Sequence, residues 1–285
     1  MKYYLPDFSL THHERFYVGD KLRYATATDV KFIDNNFLIC AQLLNRTLYL
    51  IDYSDGFKIV DSIKTNYQPD LIDIKNGLVI TANQTYKENQ TGGVSLYEIK
   101  ENKFFLIKDF LIDNVQAHGC KIIDDENILF SSISGLSLGI FKLNIKTEKY
   151  NKIYIGDKFI RDMDFSGDYL FITSAPSTPM NSVNRGSTNK ITCLNYKTLE
   201  VVNEIYFGKQ SDSIIIKNDL CFLTSQITDE VFCFKIDGFN LDFFGKIDGF
   251  NFPHGMDVYE DLIAVSNYGD NSIQILNYKE ILNLV

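Results

Sequence analysis

Two histidines, one arginine and three aspartates recur at matching places along a chain of 285 residues. Asp29, Asp70, His118, Arg161, Asp212 and His254 each stand at or just ahead of a short apolar run, separated by 41, 48, 43, 51 and 42 residues. The runs contain VKFIDNNFLICA, LIDIKNGLVITA, CKIIDDENILFSS, MDFSGDYLFITSA, IIIKNDLCFLTS and MDVYEDLIAVSN. Two imidazoles with one or more carboxylates suit a divalent metal, and the set His118, His254, Asp70 and Asp212 is the expected ligand group. Without a metal, a histidine paired to an aspartate acts as a general base, and Arg161 clamps an anion or stabilises an enolate. On either chemistry His118, His254 and Arg161 are the catalytic candidates, with Asp29, Asp70 and Asp212 as substrate-binding groups. A plain alternative stays open, in which these residues line a solvated channel and Arg161 bridges Asp212.

The elements that position such residues follow from the repeat. Each unit carries a second strong run (RTLYLIDY, GVSLYEI, GIFKLNI, KITCLNY, VFCFKI, SIQILNY), and most of these alternate apolar with polar residues as half-buried strands do. A weaker aromatic run closes five of the units, and turn pairs such as Asp55-Gly56 and Asn76-Gly77 punctuate them. Short strands at a period near 45 residues predict an all-β, six-bladed β-propeller with four-stranded blades. The expected domain is a single one over 1–285, with blades near 25–66, 67–114, 115–157, 158–209, 210–250 and 251–285. The last unit lacks its closing strand. Residues 15–21 (RFYVGDK) match 152–158 (KIYIGDK), so residues 13–21 are expected to complete the sixth blade and close the ring. His118 and His254 then face one another across the channel. Asp73, Asp164 and Asp257, three positions after a ring residue, should point away from it and anchor turns or neighbouring strands.

The stretch FPHGMDVYEDLIAVSNYGDNSIQILNY (252–278) resembles the repeats of NHL, gluconolactonase and strictosidine-synthase propellers, and the resemblance spans nearly the whole chain. It implies a channel-mouth site but names no activity, because this architecture hosts many. Gluconolactonase-type enzymes hold a divalent cation with a Glu, two Asn and an Asp. By that resemblance Asp29 takes the first-blade position, and Asn83 and Asn267 supply the amides. Hydroxyglycine lyase-type propellers use three histidines and an arginine, of which this chain matches two histidines and Arg161. Virginiamycin lyase-type propellers, which pair channel histidines with acidic groups, are similar in kind.

A net charge of −9 with no basic stretch argues against nucleic acid and membrane surfaces as partners. The opening MKYYLPDFSLTHHERF lacks the apolar core expected of a secretory leader, no apolar run reaches membrane length, and the five cysteines show no C-x-x-C spacing. A reduced, cytoplasmic protein is expected. With no Walker loop or G-x-G-x-x-G, no nucleotide cofactor is expected, and one divalent metal ion is the cofactor the ring allows. Two insertions, 83–92 and 176–189, are either plain surface insertions or loops over the site, in which case Tyr86, Lys87 and Arg185 are the residues able to reach a ligand. The expected function is a lyase, isomerase or lactone hydrolase acting on a small polar or anionic metabolite. The alternative is a non-catalytic scaffold that binds a protein partner.

Overall fold

A computed structural model of the chain describes residues 1–6, 15–18, 21–24, 27–84, 91–134, 137–156, 159–175 and 188–283, with 15–18 and 21–24 as backbone. Six antiparallel four-stranded sheets form a β-propeller. Blade 1 comprises Ala27–Phe32, Phe37–Gln42, Thr47–Asp52 and Lys58–Lys64. Blade 2 comprises Gln68–Lys75, Leu78–Gln84, Gly92–Lys100 and Lys103–Ile112. Blade 3 is Ala117–Ile122, Asn127–Ser132, Gly139–Asn144 and Tyr150–Tyr154. Blade 4 is Phe159–Ser166, Tyr169–Ala175, Thr188–Asn195 and Val201–Lys209. Blade 5 is Ile214–Lys217, Leu220–Ser225, Glu230–Asp237 and Asn240–Asp248. Blade 6 is Pro253–Tyr259, Leu262–Asn267 and Ser272–Asn277, with Lys2–Tyr4 as its outer strand.

In each blade the first strand lies innermost, beside the first strands of the two neighbouring blades. The sequence pattern follows this depth. The innermost strand of blade 1, ATDVKF, is buried throughout, whereas its outer strand, KIVDSIK, alternates between more and less exposed positions. The core is therefore divided among the blade interfaces. Ile39, Leu48 and Leu50 of blade 1 pack on Ile72, Val79 and Tyr97 of blade 2, and equivalent clusters join the other pairs around the ring. Asn76 and Gly77 both have positive φ, the two-residue turn that matches strand twist in a tight hairpin.

The ring is closed by the N-terminus, but not by the residues expected. Lys2, Tyr3 and Tyr4 pair with Gln274, Ile273 and Ser272, and the Leu5 N–H donates to the Asn271 carbonyl at 2.9 Å. Residues Arg15–Val18 instead pair with Lys21–Tyr24 as a separate hairpin. The physical reason lies in the apolar side chains. Leu5 is buried and Tyr3 stacks on Phe57 at 5.0 Å, so the first segment fills the seam between blades 6 and 1. The likeness of 15–21 to 152–158 reflects shared strand character and carries no pairing information. At the other end, Tyr278–Ile281 forms a single helical turn capped by Asn277.

An innermost strand has one edge facing the channel, where its backbone groups need partners. Carboxylates of the preceding blade meet this need. Asp73 accepts from the Ile122 N–H at 2.7 Å, Asp164 from Ile216 at 2.7 Å and Asp257 from Phe32 at 2.9 Å. These three aspartates therefore anchor neighbouring strands, as their spacing implies.

Candidate functional site

Five of the six aligned residues converge, four of them where a bulge interrupts the pairing of the innermost strand. The register jumps between Pro69 and Ile72, Ala117 and Cys120, Ile160 and Asp162, and Pro253 and Met256, which frees Asp70, His118, Arg161 and His254 to turn inward. In blade 5 Asp212 stands just before the strand begins. In blade 1 the bulge falls between Ala27 and Asp29, so the ring position there is Thr28. Asp29 lies one residue further on. Its carboxylate accepts from the Ile72 N–H at 2.7 Å and from Lys31 Nζ at 3.0 Å, a structural latch to blade 2.

The two imidazoles face each other, stacked with centroids 5.5 Å apart, and Tyr268 stacks behind His254 at 4.9 Å. His118 Nδ1 lies 2.9 Å from the Arg161 carbonyl, and His254 Nδ1 lies 2.8 Å from the Thr28 carbonyl. A carbonyl only accepts, so Nδ1 carries the proton in both rings and Nε2 turns its lone pair to the centre. His118 Nε2 is 3.5 Å from Asp70 and 3.8 Å from Asp212, while His254 Nε2 is 3.8 Å from Asp70 and 3.4 Å from Asp212. The donors thus alternate imidazole and carboxylate. Arg161 Nε stands 3.3 Å from Asp212 Oδ1, and all five side chains are almost fully buried.

Burial, and then repulsion from Asp212, push the Asp70 carboxyl well above the ordinary range. Burial would also raise Asp212, but Arg161 and the two imidazoles outweigh it and hold that carboxyl low. Burial, with the Arg161 charge, holds His118 well below its usual value and lowers His254 as well. Both shifts favour the neutral imidazole, the form able to ligate. Asp70, His118 and His254 offer donor atoms all within 4.8 Å of one another. Around a cation with ligand bonds of ~2.1 Å, neighbouring tetrahedral donors lie about 3.4 Å apart. The imidazole–carboxylate separations of 3.4 to 3.8 Å fit that frame.

Asn83 and Asn267 do not face the ring. Asn83 donates to Ser95 Oγ at 2.8 Å, and Asn267 bonds the Asn251 N–H at 2.8 Å and Ser272 Oγ at 3.0 Å, so both amides are spent inside the blades. Side chains alternate along a strand, and the next residue in each case, Gln84 or Tyr268, reaches the site instead. Tyr86, Lys87 and Arg185 lie outside the described residues.

No protein-family model matches the sequence, and no curated protein matches it either. Solved structures share the fold. A candidate 6-phosphogluconolactonase from Bacteroides uniformis aligns with a TM-score of 0.63 at 14% identity, over 90% of this chain and 82% of the other. A luciferin-regenerating enzyme aligns with a TM-score of 0.61 at 9% identity, over 86% of this chain and 85% of its own. The Cps50 (Swd1) β-propeller domain of Myceliophteria thermophila reaches 0.53 at 10% identity, over 88% and 83%. At these identities the likeness concerns the fold alone.

Proposed function

We propose that the chain is a small-molecule enzyme of the lactone-hydrolase or lyase kind, with one divalent cation held in the ring. What supports this most is a set of buried, inward-facing donors short of hydrogen bonds. Asp70 Oδ1 accepts none and Asp212 is met only by the ion pair with Arg161 and the neighbouring Gln226, beside two imidazole lone pairs already turned inward. Buried carboxylate oxygens left short of partners are costly, and a cation removes that cost for all of them together. His118 and His254 would hold it through Nε2, and Asp70 and Asp212 through one oxygen each. When bound, a divalent ion supplies Lewis acidity and lowers the pKa of an attached water.

The chain's own residues set the rest. The backbone carbonyls of Arg161 and Thr28 fix both imidazole tautomers, so neither ring can turn its proton to the centre. Arg161 neutralises Asp212 and biases the site toward an anionic or polar metabolite. Burial of the ring excludes bulk water, which strengthens each of these interactions. The donor set departs from the Glu, two Asn and Asp that a gluconolactonase resemblance implies, since both asparagines are spent elsewhere. Membership of the NHL, gluconolactonase and strictosidine-synthase grouping is part of the proposal, supported by the propeller neighbours. So is a reducing, cytoplasmic setting, in keeping with five free, buried cysteines. Among the described residues no helix is long and apolar enough to cross a membrane.

Elemental analysis of the purified protein and Zn²⁺ titration should give one ion per chain. The His118→Ala/His254→Ala pair should abolish it, and a lactone screen with the loaded protein should show turnover that the same pair removes. Unchanged metal binding in the double variant would overturn the assignment of the ring. Arg161→Ala should weaken binding of anionic substrates, and Arg161→Lys, which keeps charge but not the planar fork, should restore only part of it.

A further inference from the structure

The ring carries an internal two-fold relation that singles out two residues not yet given a role. Blades three apart present equivalent groups: Asp70 with Asp212, His118 with His254, and Asp29 with Asp162. Asp29 accepts from the Ile72 N–H and Asp162 from Ile214, at 2.7 and 3.0 Å. Ser131 and Ser266 likewise accept from the N–H groups of Gly119 and Gly255, at 2.8 and 2.9 Å. The same relation pairs Gln84 with Gln226, the last residue of the second strand in blade 2 and the residue just after it in blade 5. Thr28 against Arg161 breaks it.

Gln84 Nε2 donates a short hydrogen bond to Asp70 Oδ2. That leaves Asp70 Oδ1 with no hydrogen bond, 3.8 Å from His254 Nε2. Gln226 is fully buried and lies beside Asp212, close enough to favour its ionised form. Its Nε2 and Oε1 nevertheless make no well-aligned hydrogen bond, and neither do the oxygens of Asp212. A carboxylate on a short side chain swivels freely about its last bond unless one oxygen is tied, and a ligand that swivels binds weakly. We propose that Gln84 is a positioning residue that aims the Asp70 carboxylate at the central ion, and that Gln226, its two-fold equivalent, takes up the same contact with Asp212 when the ion binds. This rests on the metal reading above, and Arg161 shares the task on the Asp212 side.

The test uses Zn²⁺ alone, by chelator competition, and Co²⁺ as a spectroscopic probe on the full chain. Gln84→Met and Gln226→Met keep side-chain length but lose the donor, and each should weaken Zn²⁺ about 10–100-fold. Both should also change the visible Co²⁺ bands, which report ligand geometry. A purely structural role would lower the melting temperature and leave affinity and spectrum alone. Zn²⁺ affinity within about threefold of wild type in both Met variants would overturn the proposal, taking the 10–100-fold cost of lost outer-shell partners as the scale. If the wild-type chain binds neither ion, the metal reading falls by itself. A crystal structure of the Gln84→Met variant then decides the positioning role. Asp70 turned from its place sustains that role, and Asp70 unmoved refutes it.

Discussion

Replacing Asp162 by asparagine removes one buried titration from the pH dependence of stability. Asp162 is almost fully buried and accepts from the Ile214 N–H at 3.0 Å and Ser213 Oγ at 3.1 Å. Burial pushes its carboxyl from 3.8 up to about 7, against the partial help of Lys31. Since the folded value exceeds the unfolded one, the folded chain holds more protons between the two. Stability therefore falls as pH rises from about 4 to about 7 and levels off above. A shift of about 3 units corresponds to about 4 kcal/mol at roughly 1.4 kcal/mol per unit. The Asp162→Asn side chain cannot ionise, and its amide oxygen still reaches the Ile214 N–H. Groups that do not interact with Asp162 titrate in both proteins and cancel in the difference, while Asp29 and Lys31, which do interact with it, contribute a smaller change of their own. Urea unfolding at half-unit steps from pH 4 to 8 should show wild type losing about 4 kcal/mol against the Asp162→Asn variant by pH 7. A difference that stays flat, or that moves in favour of wild type as pH rises, refutes the reasoning.

Gly255→Ala should unfold the chain or nearly so, because the new Cβ would sit 2.1 Å from Asp29 Oδ1 and 2.6 Å from its Cα. A melting temperature within a few degrees of wild type would show that the latch can yield. Deleting residues 1–6 removes the outer strand of blade 6 and the burial of Leu5 and much of Tyr3, a loss of about 3–5 kcal/mol by denaturant titration at roughly 1.5–3 kcal/mol per large side chain. An unchanged midpoint would place ring closure elsewhere.

The blades were legible because each repeats one pattern, and five of the six inward positions followed from it. Blade 1 misled because two polar residues stand side by side and the aspartate looks like its counterparts. A finer signal was present. Asp73, Lys121, Asp164 and Asp257 each follow their ring residue by three, and Lys31 stands three after Thr28, not Asp29. The closing strand was misplaced because a three-residue strand has too little pattern to outscore a longer likeness. Gln84 and Gln226 escaped notice for a different reason. A one-residue choice between neighbouring amides depends on which way the strand pleats at its end, and no periodicity records that.

The carboxylate latches along the channel all point one way around the molecule. Asp29, Asp73, Asp162 and Asp164 each offer an acceptor to the blade that follows in sequence, and only Asp257 reaches back, to Phe32. A chain emerging from the ribosome therefore has each acceptor ready before the donor it serves is made. Assembly can advance blade by blade, with every new edge finding its partner already in place. The exception is the last seam, where Asp257 and the N-terminal strand must find blade 1 and blade 6 together, so that the final blade and the first residues lock in a single event.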